Sequence, residues 1–104
     1  MTLTYTSPIA CNNVGTVVTS INTGNSTTRV LPENLNCFTN AGLPCTIQSV
    51  PYGLHTIEVT PNCPNNNVSI TVNGQNQSGT NGLYTFTVTT DSITPNITVN
   101  ITCF

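Results

Sequence analysis

Apolar residues recur at every second position over most of this chain, and threonine or asparagine usually stands between them. The last stretch is the plainest: Ile93, Pro95, Ile97, Val99, Ile101 and Cys103 alternate with Thr94, Asn96, Thr98, Asn100 and Thr102. Tyr84, Phe86 and Val88 alternate with Thr85, Thr87 and Thr89, and Val68, Ile70 and Val72 with Ser69 and Thr71. Successive side chains of a strand point to opposite faces, so this pattern predicts half-buried antiparallel strands. Another strand is expected over 54–60, with Ile57 and Val59 inward beside His55, and weaker ones near 14–21, 27–31 and 43–50.

The separators are Gly24-Asn25, Pro32, Ala41-Gly42, Pro51-Tyr52-Gly53, the run from Pro61 to Pro64, Asn73-Gly74 and Asn81-Gly82. Each supplies a fixed or positive φ that suits a turn. The polar stretch 73–82 (NGQNQSGTNG) reads as a long loop, and Pro32–Asn36 as one short helical turn. No segment has a helical apolar period, and the branched Cβ of Thr and Val disfavours helix. Seven or eight short strands, spaced by about ten residues, predict an all-β fold: an antiparallel two-sheet sandwich filling 1–104 as a single domain.

The N-terminal stretch has two readings. Leu3, Tyr5, Ser7, Ile9 and Cys11 share one face, with Thr2, Thr4, Thr6 and Pro8 on the other. Residues 1–11 are either an edge strand of their own sandwich or an exchanged strand completing a neighbour's sheet, with Leu3, Tyr5 and Ile9 as the assembly residues.

The phrases VPYGLHTIEV (50–59), VSITVNG (68–74) and GLYTFTV (82–88) together resemble immunoglobulin-like domains of microbial cell-surface proteins. The resemblance covers about half of the chain and implies a sandwich in an extracellular or virion setting, with no activity attached. The buried Trp of antibody-type domains has no counterpart, since the chain has no Trp. The Asn/Thr-rich, charge-poor style is also similar to surface and virion proteins of acid-loving archaea.

Composition sharpens this picture. The charged residues are Arg29, Glu33, Glu58 and Asp91, while Thr occurs 21 times and Asn 16 times. Stability depends on pH through groups whose protonation changes on unfolding; with so few, the melting temperature is expected to vary little between about pH 3 and pH 7. A net charge of -2 leaves little mutual repulsion, which favours association. A single basic side chain cannot provide a phosphate-binding footprint, so nucleic acid is not an expected partner. No run approaches about 18 apolar residues, so membrane insertion is not expected either. The N-terminus lacks the basic and apolar regions of a signal peptide.

Five cysteines, Cys11, Cys37, Cys45, Cys63 and Cys103, suggest an oxidising compartment. None forms the C-x-x-C spacing of a zinc site, and neither a metal nor a cofactor is expected. The preferred disulfide is Cys37–Cys45, closing CFTNAGLPC, worth about 2.6 kcal/mol on the chain-entropy argument. The remaining pairings stay open, with one thiol left free or paired between chains. Candidate glycosylation sites are the sequons at Asn25, Asn67, Asn76, Asn96 and Asn100, although a chain this rich in Asn, Ser and Thr yields roughly four by chance.

Catalysis is not expected. A glycosidase pair needs two carboxylates about 5–10 Å apart, and Glu58 faces outward while Glu33 and Asp91 fall in turns. His55 and Glu58 fall on opposite faces of a strand, because their separation is odd. Sugar stacking has only Tyr52 as an exposed ring. These residues lead to the expectation of a non-enzymatic structural subunit, packing with copies of itself or other coat and surface proteins. It would sit outside the cell, on a cell surface or a virion, as part of a filament, coat or spike. The alternative expectation is an adhesin or receptor-binding module, with carbohydrate or a host receptor as partner.

Overall fold

The computed structural model describes residues 15–21, 25–40 and 44–104. Among these residues the chain forms nine strands and no helix: β1 (Gly15–Ile21), β2 (Ser26–Leu31), β3 (Leu35–Thr39), β4 (Cys45–Val50), β5 (Gly53–Thr60), β6 (Val68–Val72), β7 (Gln75–Gly79), β8 (Tyr84–Thr90) and β9 (Asn96–Cys103). One sheet has the order β4-β1-β9-β6-β7 and the other β3-β2-β5-β8. The parallel exception in this antiparallel scheme is β1 beside β9.

The alternation read from sequence becomes the stacking of the two sheets. Val17, Ile21, Val50, Val68, Ile70, Val72, Ile97, Val99 and Ile101 line the inner face of the five-stranded sheet, and Val30, Ile57, Val59, Phe86 and Val88 that of the other. The core is thus built from β-branched residues, with Phe86 as its buried aromatic. Such side chains are stiff at χ1 and fit a pleated surface at little entropic cost. Each one fully buried contributes about 1.5–3 kcal/mol.

The strand directions define two ends. At one lie the starts of β1 and β9, the Pro51–Gly53 turn and the β8–β9 turn; at the other lie the start of β8 and the ends of β5 and β9. Both disulfides, Cys37–Cys45 and Cys63–Cys103, lie towards the second end.

Four local expectations need correction. The strands exceed the expected seven or eight because β3 and β7 carry little apolar alternation. The stretch 73–82 is no loop: Asn73 (φ 45°) and Gly74 (φ 89°) form a two-residue turn, and Gln75–Gly79 returns along β6. Positive φ at both central residues matches the right-handed twist of paired strands, so Asn-Gly folds the chain back at once. All five residues of β7 are exposed, so nothing in their pattern marks a buried face. Pro32–Asn36 makes a tight turn over 32–34 and enters β3, with Asn34 at φ 59° and no helix. Finally, the last strand starts at Asn96 and not at Ile93, because Asp91 accepts bonds from the backbone N–H of Ile93 (2.9 Å) and Thr94 (2.7 Å) and closes a turn there.

Candidate functional site

Each carboxylate is committed to a structural contact. Arg29 and Glu58 stand directly opposite one another on β2 and β5, with Arg29 Nη1 3.6 Å from Glu58 Oε1. The same guanidinium donates through Nε and Nη2 to Asn34 Oδ1, at 2.9 and 2.7 Å. The chain's lone basic side chain therefore braces the β2–β3 turn against β5. Asp91 caps its own turn, as described above.

Glu33 does something the sequence reading missed. Its Oε1 lies 2.8 Å from His55 Nδ1, and His55 is buried on the inner side of β5. His55 Nε2 donates to the carbonyl of Pro51 at 2.7 Å, with Thr90 Oγ1 3.3 Å away. Both ring nitrogens are thereby satisfied, as a buried imidazole requires. The histidine ties the β2–β3 turn, β5, β8 and the Pro51 turn together at one end of the sandwich. Glu58 is on the opposite face, as strand geometry demands, and plays no part in it.

Two disulfides form among the described cysteines. Cys37–Cys45 has a Cα separation of 5.9 Å and joins β3 to β4 across the two sheets; Cys63–Cys103 has one of 5.4 Å and fastens the Pro61–Pro64 loop to the end of β9. They indicate an oxidising setting. Cys11 and the proposed assembly residues Leu3, Tyr5 and Ile9 lie outside the described residues. Asn81, between β7 and β8, pairs with Cys63 in both directions. Its Oδ1 accepts from Cys63 N–H (2.8 Å) and its Nδ2 donates to Cys63 O (3.0 Å). One side chain thus acts as a strand partner for the disulfide loop.

All five sequon asparagines are exposed. Asn96 and Asn100 point outward from β9, and Asn76 sits in β7. Asn76 donates to Ser69 Oγ (3.1 Å) and Thr71 Oγ1 (3.0 Å), and Ser78 adds bonds to Ser69 and Asn76. The outer face of β6 and β7 is therefore a ladder of neutral polar groups bonded to one another.

The two sides of the sandwich are finished differently. On the β7/β8 side, Gln75 donates to the backbone carbonyl of Thr87 (2.9 Å) and Gln77 to that of Thr85 (3.2 Å). These glutamines cross from one sheet to the other and occupy two carbonyls of β8, an edge strand; β7, the other edge on this side, pairs with β6 alone among the described residues. On the other side the edges are β3 and β4, joined by Cys37–Cys45. Among the described residues β4 pairs with β1 alone, and Ile47 of β4 and Leu35 of β3 are partly buried against the core. The one sequence signal that could have found these cross-sheet bonds was Gln at alternate positions straight after an Asn-Gly turn.

Among the described residues no three His, Cys, Asp or Glu side chains gather as metal ligands, and no helix is long and apolar enough to cross a membrane. No family model, curated protein or solved structure matches this chain.

Proposed function

We propose that this chain is a non-enzymatic structural subunit of an extracellular assembly, a surface filament or a virion coat or spike, built by packing immunoglobulin-like β-sandwich domains. The observation that carries the reading is the edge of β4. Two carbonyls of the β8 edge are taken by glutamines of β7, and β7 is an edge with no buried residue; the β4 edge keeps a row of backbone groups free of a second strand partner among the described residues, beside half-buried Ile47. Edge strands of this kind pair readily with another chain. Residues 2–10, with Leu3, Tyr5 and Ile9 on one face, have the alternation such an edge accepts. The disulfides and the neutral, mutually bonded exterior suit a protein that works outside the cell.

The test compares intact chain with chain lacking residues 2–10, by sedimentation velocity, electron microscopy and thermal melting. The intact chain should form defined polymers or oligomers, and the truncated chain should remain folded but monomeric. Intact chain that stays monomeric at every concentration would sink the subunit reading.

The adhesin or receptor-binding reading draws on the exposed ladder of Asn76, Ser78, Ser69 and Thr71, whose neutral donors and acceptors suit carbohydrate hydroxyls. Retention of the monomer on immobilised neutral polysaccharide would favour it.

A further inference from the structure

Asparagine does structural work at several points of this sandwich. Asn34 Oδ1 accepts from Arg29, and Asn66 Oδ1 accepts from the backbone N–H of Asn81 at 3.0 Å. Asn73 bonds β9 through both ends of its amide, with Nδ2 donating to Asn96 O (3.0 Å) and Oδ1 accepting from Thr98 N–H (2.7 Å). Asn81 does the same for Cys63, and Asn76 belongs to the ladder on β6 and β7.

Asn96 and Asn100 have no such work. Both stand in β9, which is flanked by β1 and β6 in the middle of the five-stranded sheet. Both are exposed on its outer face, while Ile97, Val99 and Ile101 point into the core. Asparagine is disfavoured in strands, where a β-branched side chain such as threonine fits better. Among the described residues the side-chain amides of Asn96 and Asn100 make no hydrogen bond. Asn36, a third strand asparagine without one, lies on the edge strand β3 and is followed by Cys37 and Phe38, which complete no sequon.

Asn96 and Asn100 each begin a sequon, completed by Thr98 and Thr102. The side-chain period of two places each hydroxyl on the same outer face as its asparagine. Neither hydroxyl is engaged by another side chain among the described residues. The sequons of Asn67 and Asn76 differ here, because Ser69 Oγ and Ser78 Oγ are bonded within the ladder. The surroundings are also open. Asn96 stands opposite Thr16, and Asn100 opposite Ser20 and Thr71, all small and neutral.

We propose that Asn96 and Asn100 are N-glycosylated, which makes the outer face of the five-stranded sheet the glycan-bearing face of the protein. The inference rests on the extracellular setting of the reading above and adds a covalent modification to it. The donor is a sugar activated as a lipid-linked phosphate ester. The Asn Nδ2 forms a bond to the anomeric carbon and gives up one proton. The bond from that carbon to the phosphate oxygen breaks, and the phosphate leaves with the electron pair. The two attachment points are four residues apart on one strand, about 13 Å, so two glycans stand side by side. They project away from the sheet. The β4 edge lies in the plane of the sheet, beyond β1, so the glycans leave it open to a further strand.

The experiment maps peptides of the full chain, isolated from its natural source, by tandem mass spectrometry. Asn96 and Asn100 should carry sugar masses, and Asn36, Asn73 and Asn81 should carry none. Both Asn96 and Asn100 found bare would overturn the proposal, as would sugar on Asn76 in their place. A second measurement uses chain made without glycosylation, as wild type and as the double variant Asn96→Thr, Asn100→Thr. The variant should melt at the same temperature or higher, because threonine suits a central strand. A lower melting temperature would show that the amides serve the fold, and would remove the ground for the assignment. Sedimentation velocity on the natural protein separates this result from the subunit reading. Glycans on a chain that stays monomeric would keep the proposal and remove that reading, and bare asparagines on a chain that polymerises would do the reverse.

Discussion

Gln77 reaches from one sheet to the other and donates its side-chain amide to the backbone carbonyl of Thr85, 3.2 Å away. Gln75 does the same for Thr87 two residues along. An edge strand with bare carbonyls invites pairing with a stranger, and these side chains occupy the acceptors without adding a strand.

The first prediction follows from that arrangement. Replacing both glutamines with alanine returns the two carbonyls to water, and exposed bonds of this type each contribute about 1 kcal/mol or less. The melting temperature should therefore fall only slightly. Non-specific aggregation, followed by light scattering during slow heating, should rise far more. A double variant that loses much stability without aggregating would show that the glutamines hold the sheets together and do not shield the edge.

The polar end of the core offers a stabilising change. Thr19 Oγ1 and Thr28 Oγ1 are buried and, among the described residues, have no hydrogen-bond partner. Leaving a buried hydroxyl unsatisfied costs about 1–3 kcal/mol, and valine has nearly the same shape. Thr28→Val should raise unfolding free energy by about 1 kcal/mol in denaturant titration, and Thr19→Val should act similarly. A loss of stability in both would mean that the hydroxyls are satisfied.

His55 and Glu33 give a graded series. Glu33→Ala leaves a ring nitrogen of a buried histidine without its partner, which should cost about 1–3 kcal/mol. Glu33→Gln keeps a polar group at hydrogen-bonding reach of Nδ1 and should recover most of that. His55→Ala removes the ring, its bonds and its packing, and should cost about 3 kcal/mol or more. Equal stability of Glu33→Ala and wild type in urea would show that the contact contributes nothing.

The disulfides should rank by loop length. Cys63–Cys103 spans 40 residues and Cys37–Cys45 spans 8; the chain-entropy argument gives about 4 and about 2.6 kcal/mol respectively. Paired serine substitutions at Cys63 and Cys103 should therefore lower the melting temperature more than those at Cys37 and Cys45. The reverse order would locate their effect in native packing and not in the unfolded chain.

Gly79 provides a local check on the β7–β8 connection. A Cβ built there would stand 2.7 Å from the Tyr84 hydroxyl, which already donates to Thr80 O at 2.6 Å. Gly79→Ala should displace the tyrosine and cost about 1–3 kcal/mol as an overpacked site. Gly79→Ala combined with Tyr84→Phe should recover part of the loss, read by thermal melting.

Alternation alone determined much of this protein. Val68, Ile70 and Val72, or Ile97, Val99 and Ile101, can face one way only, because the side-chain period of a strand is two and one face is buried. Short spacing likewise identified Cys37–Cys45, whose partners lie across one local loop. What sequence left open needed contacts between distant residues. Glu33 meets His55 across 22 positions, and nothing near either residue records the other. β7 carries no buried residue, so its place as a strand was fixed by the Asn-Gly turn and by β6, not by hydrophobic pattern. Which strands stand at the edges, and that the glutamines of β7 reach the carbonyls of β8, were decided by the order of strands in the sheets. That order is a property of tertiary packing, because equal alternation in every strand leaves their neighbours undetermined.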